Sequence, residues 1–247
     1  TDSIRNGTFD LANTNKLITL GNDGSYHPAV AQSWTISPDG RVYTFRIRKG
    51  MTFTDGEKLD AHAVQANFDA LIDNKKRHTW LEMMRLLVSA KAVDDETFVI
   101  EMKEPYYLML TELAVTCPFA FVSPKVMKNG TTKDGVTAFV GSGPWKLVEH
   151  VIDEYSVFER NEDYWGAKPA FRRVVVKVIP DNQTRILALE KGEADLIWGK
   201  NMVDADALNK YRSSDRFGRT CSTARPNCSI SHPSRSPRRT TWRSCAR

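Results

Sequence analysis

The chain has 247 residues, 35 basic and 30 acidic, for a formal net charge of +5. That charge suggests an anionic partner, but seven arginines and no lysine or acid fall within residues 219–247. Residues 1–218 therefore hold 35 − 7 = 28 basic groups against 30 acidic ones, which makes the body mildly acidic and removes the composition argument for a nucleic-acid binder there. No apolar run approaches the roughly 18 residues of a membrane span. The body holds one cysteine, Cys117, so it has no internal disulfide. The opening Thr1-Asp2-Ser3 has neither Met nor a signal-peptide pattern, and is read as a processed terminus or an internal fragment.

Residues 1–20 are weakly patterned. Asn22-Asp23-Gly24 and Ser37-Pro38-Asp39-Gly40 are turn sequences, where Gly supplies positive φ and Pro fixes its own φ. Val42 to Arg48 then alternates, placing Tyr43, Phe45 and Ile47 on one face, which predicts a half-buried strand. Asp60 stands where a helix N-cap belongs, and Val64, Phe68, Leu71 and Ile72 follow at helical spacing. Residues 79–89 are expected to form a second, more buried helix. Thr97–Lys103 alternates again, with Phe98, Ile100 and Met102 inward. Tyr106–Val115 reads as a helix, and Phe119–Val122 as an apolar segment before Pro124.

Gly141-Ser-Gly-Pro-Trp145 predicts a tight turn into a strand, Trp145–Val151, with Tyr155–Arg160 as its neighbour. Arg172–Ile179 is a β-branched strand ended by Pro180. Asp181 can cap a helix over Gln183–Lys191, Gly192 can close it, and Ala194–Trp198 is a further short strand. Strands and helices neither alternate strictly nor segregate, so the fold class is α/β with a mixed sheet.

No catalytic signature accompanies this pattern. There is no P-loop, no His-Glu-x-x-His and no Cys-x-x-Cys. Val140 occupies the first glycine position that a nucleophile elbow around Ser142 would need. The acidic clusters at 94–96 and 162–163 lie beside turns and read as solvated charges. The stretch with chemical content is Asn74-Lys-Lys-Arg-His-Thr-Trp80. Arg77 offers a planar fork for a carboxylate and Trp80 a face for stacking, against the plainer reading of a charged loop.

Several longer stretches, in order, carry a resemblance. They are Ala29 to Trp34, Ser37 to Arg48, Phe53-Thr-Asp-Gly-Glu57 on to Val64, Gly141 to Trp145, Arg160-Asn-Glu-Asp-Tyr-Trp-Gly166 and Val178-Ile-Pro-Asp181. Together these resemble the family 5 solute-binding proteins, the extracytoplasmic receptors of ABC importers for peptides, nickel and related solutes. Lys76-Arg-His-Thr-Trp-Leu-Glu82, Glu104 to Tyr107, Glu112-Leu-Ala114 and Pro118-Phe119 are similar to its nickel-binding branch.

The resemblance implies one mixed-sheet lobe of a type II periplasmic-binding-protein fold over residues 21–218, the second lobe being absent. It implies a non-enzymatic receptor, with no cofactor, for nickel held by a small carboxylate chelator. Such a receptor would work as a monomer with an ABC permease in the membrane, in the periplasm or otherwise outside the cytoplasm, with a lipid anchor a further possibility in the full-length form. Arg77 and Trp80 match cleft residues of that branch. Cys117 stands where a second cleft Arg is found there, and is read either as a soft metal ligand or as a small buried residue. His78 is not promoted to a ligand. A peptide receptor of the same family is the alternative.

At residue 219 composition turns to Arg, Ser, Thr, Pro and Cys, and periodicity ends. A shifted reading frame accounts for this best, with a disordered product. A zinc site from Cys221, Cys228, His232 and Cys245 lacks a close Cys pair. A nucleic-acid-binding arm is the reading from another function class; the family resemblance implies no nucleic-acid partner.

Overall fold

The computed structural model describes residues 15–21, 23–197, 203, 211, 218–221 and 228–231. These fall into two compact units. The larger holds the described residues up to His150 together with Ser156–Val176, and the smaller holds Val151–Tyr155 and the described residues from Lys177 onward.

The larger unit is built on a four-stranded antiparallel sheet, in the order β3-β4-β6-β5. Its strands are β3 (Ala31–Ile36), β4 (Val42–Ile47), β5 (Leu87–Ala92) and β6 (Thr97–Met102). Alternation fixes which face is buried, because successive side chains of a strand point to opposite sides. Register then brings like with like: Phe45 opposes Phe98 and Tyr43 opposes Ile100. Helix α1 (Ala61–Asp73) covers this face. The Asp60 carboxylate accepts from Ala63 N at 2.9 Å, so the helix starts where the sequence places its cap. Phe68 of α1 meets the Phe98 ring at 4.9 Å between centroids, in the buried core. Asn67 pins the other flank of α1. Its amide accepts from Val122 N at 3.0 Å and donates to Val122 O at 2.9 Å, as a paired strand would.

Two expectations are corrected. Residues 79–89 do not form one helix; helix α2 is limited to Glu82–Leu86, and Leu87 begins strand β5. Cross-strand pairing with β6 sets that outcome, Ala90 opposing Ile100 and Lys91 opposing Val99. The helix expected over Tyr106–Val115 contracts to α3 (Met109–Leu113), which has no side-chain cap at Leu108. The hairpin of β1 (Ile18–Leu20) and β2 (Tyr26–Pro28) is assigned no strand from sequence. The same holds for the pair of β7 (Met127–Lys128) and β8 (Thr131–Val136).

Strands β9 (Trp145–Val151), β10 (Tyr155–Arg160) and β11 (Arg173–Lys177) form a three-stranded sheet in the order β11-β10-β9. The turn before β9 is held from both sides. Asn15 donates to the Ser142 carbonyl and, at 2.9 Å, to its hydroxyl. Asn161 donates to Gly143 O at 3.0 Å. All three side chains involved (Asn15, Ser142, Asn161) are buried.

In the smaller unit, helix α4 (Asn182–Lys191) is capped by Asp181, which accepts from Thr184 N at 2.7 Å. It closes at Gly192 with φ 77°, a left-handed position that glycine takes without strain. Ile186, Leu189, Ile197 and Tyr211 form its core. Strand β12 (Leu196–Ile197) pairs with β14 (Cys228–Ser231), which pairs with β13 (Gly218–Cys221). Regular structure is therefore present among the described residues of a segment expected to be disordered. The other predicted features of that segment, and Trp198, lie outside the described residues.

Candidate functional site

Arg77 ends a 3-10 turn, Lys75–Arg77, that leaves the C-terminus of α1. The turn closes through Arg77 N to Asn74 O and His78 N to Lys75 O, both at 3.0 Å. Lys75, Lys76 and Arg77 are all exposed. Among the described residues none of the three has an ion-pair partner. Three cations without an acid make a local positive field able to receive an anion. Trp80 follows, 58 % exposed, while the next residue, Leu81, is buried and anchors the loop. An exposed indole beside an anchored backbone is an available stacking face. Burial, and then the neighbouring Arg77 charge, push the His78 imidazole below its ordinary range.

The loop is fixed from thirty residues away. The Glu112 carboxylate, on α3, accepts from Glu82 N at 3.1 Å and from Met83 N at 2.9 Å. It thus supplies the cap that α2 lacks in its own sequence, because Leu81 has no side chain able to accept. Tyr106 donates its hydroxyl to the same carboxylate at 2.8 Å. Burial first, and then that bond, push the Tyr106 phenol up to about 12. Glu112 therefore ties α2, just after Trp80, to the element that leads toward Cys117. Sequence reading assigned it no role, since no local pattern marks a cap supplied by another helix.

Cys117 lies within the short helical stretch Thr116–Phe119 but departs from helical geometry, with φ −105° and ψ 122°. It is exposed, which corrects the reading of it as a small buried residue. Tyr107, almost wholly exposed at 97 %, and the half-exposed Leu108 lie just before α3. Among the described residues no group of three or more His, Cys, Asp or Glu is placed to hold a metal ion. The exposed chemistry here is cationic and aromatic, suited to an anion rather than to a bare cation.

Residues 25–229 match the family described as bacterial extracellular solute-binding proteins, family 5 Middle, a match that runs past Gly218. The chain is 44% identical over 202 residues to the nickel-binding periplasmic protein of Escherichia coli K12, covering 81% of this chain and 38% of that protein. It is 27% identical over 208 residues to the E. coli dipeptide-binding protein. Among solved structures, NikA from Brucella suis in complex with Fe(III)-EDTA superimposes with a TM-score of 0.83 at 42% identity, over 86% of this chain and 43% of that one. The chain thus spans less than half the length of the relatives it matches.

Proposed function

The chain belongs to the bacterial extracellular solute-binding proteins of family 5, and from that premise we propose that it forms one wall of a receptor for a chelated metal. It is a binding protein and not an enzyme. The cargo is a nickel ion already wrapped by a small carboxylate chelator, delivered outside the cytoplasm to an ABC permease. The receptor acts as a monomer and needs neither nucleic acid nor a cofactor; the metal is cargo.

One observation carries this reading: the turn Lys75–Arg77 presents three cations that lack acidic partners among the described residues, next to the exposed Trp80. A chelated metal offers carboxylates at its rim, which a guanidinium fork can grip, and a hydrocarbon surface, which an indole can cover. The 44% identity to a nickel-binding periplasmic protein supports the same cargo over peptides, at 27% for the dipeptide-binding relative.

Isothermal titration of the protein with Fe(III)-EDTA, Ni(II)-EDTA, nickel chloride and a dipeptide tests the reading. Saturable heat with the chelates, and none with bare nickel or peptide, is expected. Heat with the peptide alone overturns it in favour of a peptide receptor. Silence toward all four ligands overturns both.

A further inference from the structure

A second cationic and aromatic feature lies in the larger unit, on other elements. A groove of about 460 Å³ is lined by Gln32, Arg48, Lys49, Met51 and Trp165. Two of these five residues are cations and none is an acid. Arg48 is held at one atom and on one face: its Nε donates to Ala29 O at 2.7 Å, and its guanidinium carbon sits 4.8 Å from the centroid of the Trp165 ring. Its terminal Nη groups have no hydrogen-bond or ion-pair partner among the described residues. Lys49 is partly neutralised by Glu96 at 2.8 Å, so Arg48 supplies the uncompensated charge.

The groove's other members are placed with equal definition. Gln32 stands at a β-bulge, where the β3–β4 register shifts between Ala31 and Ser33. A bulge re-aims the side chain it carries, and bulges concentrate beside sites. The Gln32 amide is exposed and has no partner among the described residues. Trp165 packs against Tyr164 at 5.4 Å between centroids. Gly166 keeps that turn tight, because a Cβ there would lie 2.7 Å from the Tyr164 ring.

We propose that the Arg48–Trp165 groove is a carboxylate-binding site separate in its residues from the Arg77–Trp80 loop. A guanidinium stacked on an indole keeps its outer edge open, and that edge matches a carboxylate with two parallel N–H donors. Gln32 adds a neutral donor, and Lys49 a second positive charge at the rim. The carboxylate comes either from a free small dicarboxylate or from an acidic side chain of a polypeptide. The proposal does not depend on the cargo bound at Arg77 and Trp80.

The test uses the ¹⁵N-labelled protein and follows the Trp165 indole N–H, assigned with Trp165→Phe. Titrants are succinate, a short Glu-rich peptide, succinamide and sodium chloride. A saturable shift with succinate, or with the peptide alone, is expected, and these two outcomes identify the free or the polypeptide source. Arg48→Lys should weaken binding about tenfold, the worth of one charge-assisted hydrogen bond. Gln32→Ala, at an exposed position that tolerates truncation, should weaken it a few-fold. No saturable shift with either carboxylate overturns the proposal. So does an equal response to succinamide or chloride, or undiminished binding in both variants.

Discussion

The Glu112 carboxylate receives the hydroxyl proton of Tyr106 at 2.8 Å while capping two backbone amides of α2. One acidic side chain thus holds together three pieces of chain around the candidate site. Glu112→Gln keeps the volume but halves the accepting capacity, since the new NH2 cannot accept from Met83 N. A stability loss of about 1 kcal/mol is expected, the usual worth of a cap. Chelate affinity should fall in the same variant although Glu112 is assigned no ligand contact. Urea denaturation and calorimetry on one preparation check both. Unchanged affinity together with lower stability would mean that the cap does not position the loop.

The same pair predicts an alkaline limb. The Tyr106 phenol titrates at about 12 in the folded protein against 10.0 in a free side chain. Its neutral form is favoured by folding, so its contribution is fully present below pH 10 and is lost as pH rises toward 12. Burial shifts Tyr43 and Tyr164 in the same direction, so the limb is shared. Tyr106→Phe should flatten the upper part of the curve of urea midpoint against pH. An unchanged curve between pH 10 and 12 would remove Tyr106 from the account.

Asn161 offers a sharper test of buried polar matching. Its amide donates to Gly143 O, and its Oδ1 accepts from Asp163 N at 3.2 Å. Asn161→Ala leaves the buried Gly143 carbonyl and the part-buried Asp163 N–H without this partner and should cost about 1–3 kcal/mol. Asn161→Asp preserves shape but turns the donor into a second acceptor facing a carbonyl. Burial raises the pKa of such a carboxyl. The destabilisation should therefore be largest at neutral pH and shrink in acid, where the protonated group can donate again. A loss independent of pH would argue that shape, not donor identity, matters at this position.

These contacts also explain what the sequence could and could not disclose. The strand Val42–Ile47 and the caps Asp60 and Asp181 were legible because their signals are local: alternation, or an acceptor three residues before a free amide. Leu87–Ser89 was misread as helix because Leu, Val and Ser fit either period, and only pairing with Thr97–Met102 decides it. Arg77 and Trp80 were legible as a charged and aromatic loop. Glu112, which secures that loop, and Gln32, turned by a bulge, were not, since each gains its role from residues distant in sequence.

The loop itself gives the most direct prediction. If Arg77 grips a carboxylate through two parallel donors, Arg77→Lys should weaken chelate binding about tenfold, because an ammonium cannot reproduce the fork although it keeps the charge. Trp80→Ala should weaken binding without destabilising the fold, as Trp80 is 58 % exposed and contributes little to the core. Cys117 distinguishes two ways of holding the cargo. A thiolate ligand would bind soft metal directly, so Cys117→Ser would then lower affinity for bare nickel. Where the chelator supplies every ligand to the metal, Cys117→Ser is neutral and Cys117→Arg adds a second fork and tightens chelate binding. Calorimetry with Fe(III)-EDTA and with nickel chloride reads all four variants. Tighter chelate binding in Cys117→Arg, with loss in Arg77→Lys, is the expected pattern. Loss in Cys117→Ser with no effect at Arg77 would place the metal on the protein and overturn capture through carboxylates.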